Sequence, residues 1–313
     1  MAEDTRSMRL LTLFLLLVSG CSCFCQDIRF SSDVKVVNLL ATVRDSSGAI
    51  VRNLTRDDFR VEEDGRPQTI RYFSRESDLP LTIAILVDTS RSVHTVVEPE
   101  RLAAERFFEQ VLREDRDLAA VVHFDISVGV LQGLTSSRDK LAAALAGLRV
   151  QTRIATLLYD AIRQTSDQTM RNQSGRKAIV LLSDGQDNGS HTSLASAIED
   201  AQRADTIIYS ILFTPVPKRP GGGQRNPARA RNAARGKSTM ERLARETGGE
   251  SFAVSADDPI DRIYARIEDD LRSQYSIGYT SDRSANDRKY RSLTVSTTRP
   301  GLIVRAREGY YPQ

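Results

Sequence analysis

The sequence predicts a doubly wound, mostly parallel α/β sheet flanked by a small β-sandwich built from both ends of the chain. Two uncharged runs, residues 81–87 (Leu-Thr-Ile-Ala-Ile-Leu-Val) and 178–182 (Ala-Ile-Val-Leu-Leu), have the length and branching of strands buried on both faces. Helix-like and strand-like segments alternate around them, as a parallel sheet with crossover helices requires. Short alternating runs separated by turn residues occupy both termini, the pattern of antiparallel strands.

In chain order, the first strand-like run covers residues 34–43 and meets the turn Asp45-Ser-Ser-Gly48. Further strands are expected at 49–51, 59–63 and 68–73, with a short helical or turn connection over 53–59. Asp64-Gly65 between two strand-like runs is a hairpin signal. Such a thin β layer is marginal alone. Three more strands, at 274–280, 290–298 and 302–307, supply its partner, with Pro300-Gly301 marking the last turn. In the central region helices are expected at 99–112, 137–148, 157–170, 194–204, 239–246 and 259–271. Strands fill the gaps at 119–124, 127–131, 206–213 and 251–254, and the short link between the first two implies one antiparallel edge strand.

The chemistry concentrates where buried strands end. Asp88-Thr-Ser90-Arg-Ser92 places a carboxylate and two hydroxyls at alternate positions, hard oxygen donors suited to Mg²⁺, Mn²⁺ or Ca²⁺. The competing reading is that Asp88 and Ser90 cap the next helix. The second strand ends in Ser183-Asp184-Gly-Gln-Asp187-Asn188, and between the two lies Thr156, ahead of Leu157-Leu-Tyr159-Asp160-Ala. Open α/β sheets bind ligands at the carboxyl ends of their strands, where three such turns converge.

These motifs, in this order, resemble the von Willebrand factor type A (VWA) domain and its metal-ion-dependent adhesion site. The resemblance spans about residues 79 to 270. It implies a VWA or Rossmann-like fold and a divalent cation, Mg²⁺ first and Mn²⁺ or Ca²⁺ as alternatives, held by Asp88, Ser90, Ser92, Thr156 and Asp184. The sequence departs from the family pattern at Ile154 and Ala155, where glycines usually precede the threonine. The flanking segments resemble bacterial exported proteins called VWFA-related, through Val43-Arg-Asp-Ser-Ser-Gly48, Asp58-Phe-Arg-Val-Glu-Glu-Asp-Gly65, Tyr275-Ser-Ile-Gly-Tyr279 and Arg307-Glu-Gly-Tyr-Tyr311.

Neutral hydroxyls satisfy a cation's geometry without satisfying its charge, so the ion stays electrophilic toward an incoming carboxylate. The expected function is therefore an exported adhesion or scaffold module that grips an Asp or Glu of a protein partner through the cation. Alternatives are a Mg²⁺-dependent phosphohydrolase with Asp88 as nucleophile, and a metal-free structural envelope protein. The first lacks the second acid of an Asp-x-Asp pair, because Ser90 stands there. No Gly-x-Ser-x-Gly elbow is present, and catalytic residues and a cofactor other than the cation are not expected.

Composition bounds the rest. The 313 residues carry a net charge of +3, with no aromatic-basic cluster to stack bases, so nucleic acid is not an expected partner. Arg6 and Arg9 precede an apolar run at 10–18 that is too short to span a bilayer, the pattern of an export signal over residues 1–25. Val18-Ser-Gly-Cys21 resembles a bacterial lipobox, which would attach Cys21 to a membrane, and ordinary cleavage near Cys25 is the alternative. All three cysteines lie in this segment, leaving none for a disulfide in the folded body. The expected organisation is a β segment over 27–78, the VWA-like region over 79–272 and a second β segment over 273–313. Within the middle region, residues 215–237 read as a disordered basic loop, with contact to an anionic surface as the functional alternative. His123 is expected in the core, His94 and His191 on the surface, and Asp125 in a turn.

Overall fold

The computed structural model describes residues 36–75, 79–91, 97–150, 155–213, 227–283, 287 and 289–312. Ser92, His94, Ile154 and the expected signal segment lie outside them.

At the centre is a six-stranded sheet in the order β10-β9-β8-β5-β6-β7. Its strands are β5 (Leu81–Asp88), β6 (Leu118–Phe124), β7 (Val128–Thr135), β8 (Arg176–Ser183), β9 (Thr206–Leu212) and β10 (Ser251–Ala253). All pairs are parallel except β6 with β7, the hairpin at one edge. Every residue of β5 and β8 is buried, which is why each reads as an apolar run between its charged or polar ends. Alternate side chains serve opposite layers. Ile83, Ile85 and Val87 pack under Phe107, Phe108 and Ile267, from α1 (Val97–Val111) and α6 (Ile260–Arg272). Ala84, Leu86, Ile179 and Leu181 pack under Ile162, Ile198 and Leu243, from α3 (Leu158–Gln164), α4 (Leu194–Arg203) and α5 (Pro227–Thr247). The remaining helix, α2 (Arg138–Ala146), has its first turn capped by Ser137, whose hydroxyl accepts from the Lys140 N–H.

The terminal segments form two four-stranded antiparallel sheets. One has the order β13-β1-β11-β4, from Ile303–Arg305, Val36–Arg44, Tyr275–Thr280 and Ile70–Ser74. The other has the order β14-β12-β2-β3, from Gly309–Tyr310, Arg291–Thr297, Phe59–Glu63 and Arg66–Gln68. Leu39, Ala41, Phe59, Val61, Ile277 and Leu293 fill the space between them. The hairpin turn uses left-handed backbone at Asp64 (φ 48°) and Gly65 (φ 76°), matching the Asp-Gly signal. Two expectations are corrected. Residues 49–51 make only an isolated bridge from Ile50 to Arg44, because Asp45 closes that loop on the N–H groups of Ser47 and Ala49. The strand expected at 68–73 is two strands, and the chain changes sheets between Gln68 and Ile70.

A buried polar cluster locks the sandwich. Glu63 accepts from the Tyr279 hydroxyl (2.6 Å), the Tyr310 hydroxyl (2.9 Å), the Ser281 hydroxyl (2.6 Å) and the Arg291 guanidinium (3.1 Å). Three of the four terminal motifs meet here, through Glu63, Tyr279 and Tyr310, and separately Tyr275 donates to the Val51 carbonyl and receives the Leu54 N–H. The sandwich joins the central sheet at its amino-terminal edge. Arg44 pairs with Asp270 of α6 at 2.6 Å, and Arg176, which opens β8, donates to the carbonyls of Leu271 and Gln274. The carboxyl ends of β5 and β8 are left at the opposite edge.

The largest correction concerns residues 215–237. Residues 227–237 are helical and begin α5, not a loop. Pro227 occupies the first helical position, where its missing N–H costs nothing, and Ala and Arg are strong helix formers. Residues 214–226 lie outside the described residues.

Candidate metal centre

Three loops meet beyond the carboxyl ends of the parallel strands. Loop 1 follows β5 and carries Asp88 and Ser90; loop 2 carries Thr156 ahead of α3; loop 3 follows β8 and carries Asp184. All four residues are buried, at 1%, 4%, 5% and 5% exposure. Ser92 lies outside the described residues.

Hydrogen bonds tie the loops into a closed circuit. The Ser183 hydroxyl donates to Asp88 Oδ2 (2.7 Å), linking loop 3 to loop 1, and the Ser90 N–H donates to Asp88 Oδ1 (2.9 Å). Thr89, between them, donates to Asp125 Oδ2 (2.7 Å), while the Asp125 carbonyl receives the Leu157 N–H (2.9 Å) from loop 2. Loop 2 returns to loop 3 through Asn188: the Thr156 N–H donates to Asn188 Oδ1 (2.7 Å), and the Asn188 N–H donates to the Thr156 carbonyl (3.2 Å). This clamp sets the threonine without the usual glycines. Ala155 lies near Gly189, where an added methyl group would crowd the end of the Leu157 side chain.

Asp160 and Asp187 tie α3 to loop 3. Asp160 accepts from the N–H groups of His191 (3.0 Å) and Thr192 (2.9 Å), and His191 is a surface residue, as expected. Burial alone would raise the Asp160 carboxyl, but hydrogen bonds from Thr192 and His191 outweigh it and hold it down at about 2. Ser190, which donates to Asp187 (2.5 Å), receives the N–H groups of Tyr159 and Asp160. Two assignments from sequence change. Asp125 is a fully buried connector of loops 1 and 2 as well as a turn residue. His123 is half-buried, with its ring over Gly129 of the edge strand and Nδ1 3.6 Å from Asp125.

The electrostatics favour a cation. Burial pushes the Asp88 carboxyl up to about 6, against the lowering effect of its hydrogen bonds from Ser90 and Ser183, and the charge on Asp184 adds to the rise. Asp184 is occupied by the N–H and side-chain amide of Gln186, both at 3.1 Å. Among the described residues, no Arg, Lys or His forms an ion pair with either carboxylate. Nor do three or more His, Cys, Asp or Glu side chains cluster as a metal group among them, so an ion here would rely on hydroxyls beside two carboxylates. That donor set fits a hard divalent cation and is a poor match for a thiolate- or imidazole-preferring one.

Helix α5 is pressed directly on loop 3. A methyl group at Gly236 would fall well inside contact distance of the Asp184 carbonyl oxygen, and one at Gly185 would strike the Gly236 carbonyl. Gly236→Ala is expected to gain about 1 kcal/mol of helix propensity but to lose about 1–3 kcal/mol to overpacking at this contact. The clash should win, so the variant is expected to displace the loop 3 backbone at Asp184 and to melt at a lower temperature than the wild type in thermal denaturation.

A six-stranded, mostly parallel sheet with three oxygen-rich loops at its carboxyl edge defines the VWA class of fold. The chain belongs to the family: the model of the von Willebrand factor type A domain matches residues 82–264, more than half its length. Among solved structures it is similar to proximal thread matrix protein 1 from the mussel byssus, at 18% identity and a TM-score of 0.51, over 68% of this chain and 51% of that one. The same mussel protein has also been solved with a zinc-occupied metal-ion-dependent adhesion site, matching with a TM-score of 0.51 and 18% identity over 68% of this chain and 50% of that one. BatB from Bacteroides thetaiotaomicron matches at 13% identity, over 62% of this chain and all of that one, with a TM-score of 0.46. The chain thus spans about half the length of the mussel structures. No curated protein matches it by sequence.

Proposed function

We propose that this protein is an exported binding module that grips an acidic side chain of a protein partner through a divalent cation, Mg²⁺ in the first instance. Asp88, Ser90, Thr156 and Asp184 would hold the ion, with Ser92 of the same motif as a fifth donor. The ion supplies an electrophilic position for a partner's Asp or Glu. The observation that carries this reading is the pair of buried, mutually repelling carboxylates at the strand ends, with no ion-paired base among the described residues.

Binding is favoured over phosphoryl transfer by the surroundings of Asp88. Both of its oxygens already accept hydrogen bonds, and a hydroxyl stands at the position where a phosphatase would carry its second acid. Export rests on the signal-like residues 1–25, with lipidated Cys21 as the proposed membrane attachment. Among the described residues no helix is long and apolar enough to cross a membrane.

The test is equilibrium binding of a fluorescent peptide containing a single Asp, with the Asn peptide as control. The Asp peptide is expected to bind in Mg²⁺ and to lose binding in EDTA. Equal binding of both peptides, or binding indifferent to EDTA, would contradict the reading. The pH dependence follows from the raised Asp88 carboxyl. Below about pH 6 the metal-free site holds a proton that the cation must displace. Mg²⁺ affinity is therefore expected to fall about tenfold for each pH unit below 6 and to level off above it. Titrations at pH 5 and pH 7.5 check this.

A further inference from the structure

The helix that buttresses loop 3 continues past the site. From Gly236 onward α5 packs on the sheet, and the Ser210 hydroxyl donates to the Met240 carbonyl at 2.9 Å. Residues 227–235 are all exposed. Helix α5 runs antiparallel to β9 and β10, a parallel pair, so its amino end points beyond the carboxyl edge where the three loops lie. Nine residues at 1.5 Å each extend about 14 Å past the Gly236–Asp184 contact.

This projection is basic and contains no acidic residue. It carries Arg229, Arg231 and Arg235, followed by Lys237, and the first acid in the helix is Glu241. Lys237 pairs with Glu241 at 3.7 Å, but among the described residues Arg229, Arg231 and Arg235 make no ion pair. Arg231 and Arg235 are four residues apart and share a helix face. Three free guanidiniums on a solvent-exposed rod would be surplus to folding. They lie on the helix that abuts loop 3, which carries Asp184, and so neighbour the proposed cation site.

We propose that the exposed turns of α5 and the cation together form a composite docking surface for an acidic protein segment. One carboxylate would reach the cation and its neighbours would meet Arg231 and Arg235 on their shared face, with Arg229, about 200° round the helix from Arg231, on the side of Gly236. This inference rests on the metal-site reading above and narrows its partner from any Asp or Glu to one set among other acids. Carboxylates at alternate positions of an extended segment, or one turn apart on a helix, have the spacing of the arginine pair.

The probe is a fluorescein-labelled oligo-glutamate peptide titrated with the full chain in Mg²⁺ and in EDTA. Mg²⁺ binding to each variant is measured separately by calorimetry. Replacing all three arginines (Arg229→Glu, Arg231→Glu and Arg235→Glu) is expected to weaken peptide binding about tenfold or more. The corresponding Gln replacements should weaken it less, and Mg²⁺ binding should be retained in both. Wild-type binding should also weaken with added salt, because exposed charge contacts are screened. Peptide binding unchanged in the arginine variants, with Mg²⁺ still bound, would overturn the helix contribution alone. Arginine-dependent binding that ignores EDTA would overturn the composite by removing its metal half. Arginine-dependent binding to phosphatidylglycerol vesicles or heparin, without binding to the peptide, would assign the surface to another class of partner and overturn the proposal.

Discussion

Replacing Asp88 with Ala is expected to abolish Mg²⁺-induced stabilisation while destabilising the metal-free protein much less than the loss of two buried hydrogen bonds alone would. The two effects have one cause. In the metal-free fold Asp88 is a buried carboxylate facing the charge of Asp184, and its raised pKa records that ionising it there is unfavourable. Removing it relieves the repulsion but sacrifices the hydrogen bonds from Ser90 and Ser183, each worth about 1.5–3 kcal/mol to a charged acceptor. Those two donors are short of partners only in the variant, so Asp88→Asn, which keeps an acceptor oxygen, serves as the milder companion. Wild-type protein at a hundredfold excess of Mg²⁺ over its dissociation constant should gain about 2.7 kcal/mol. Thermal denaturation with Mg²⁺ and with EDTA checks both parts. A variant that still shows the wild-type metal shift would remove Asp88 from the site.

The second large effect is at the far end of the molecule. Glu63→Ala leaves Arg291, 2% exposed, without its carboxylate and removes the acceptor shared by Tyr279 and Tyr310. Breaking a buried ion pair from one side costs about 3–5 kcal/mol. The melting temperature should fall by roughly 10 °C for a chain of this size. The double replacement Glu63→Leu with Arg291→Met should recover more than half of that loss, because it removes the stranded charge as well as the pair. If the double variant is as unstable as the single one, packing rather than charge holds this corner. The proposed metal site lies at the opposite edge of the central sheet, so Mg²⁺ binding by the folded variants should match that of the wild type.

What could be read from sequence followed the reach of periodicity. Strands β5 and β8 announced themselves because burial on both faces keeps charge to their ends: Arg176 and Lys177 open β8, Asp88 closes β5 and Asp184 follows β8. The sandwich was legible from turns and alternation, whereas a buried role for Glu63, on the strand face of Phe59 and Val61, was not expected of an acidic residue. The first turns of α5 were not legible. Hydrophobic periodicity finds helices through a buried stripe, and residues 227–235 have none; only their Ala and Arg content carried the signal. The loop couplings were hidden for another reason. Asn188 acts on the backbone of Thr156, Asp125 works partly through its own carbonyl, and Gly236 acts through the space it leaves empty. Contacts between main chains remote in sequence leave little trace in residue type. Asp125 alone gave a hint, since Asp-Ile-Ser after a buried strand suits a turn in which the carboxylate caps the Ser127 N–H.

The central claim is that Asp88 and Asp184 hold a divalent cation at the carboxyl edge of the sheet. Calorimetric titration of Mg²⁺ into the full chain, beside the Asp184→Ala variant, tests it most directly. One saturable site in the wild type, lost in the variant, is the expected result. No saturable binding in the wild type, or equal binding in both proteins, would contradict it.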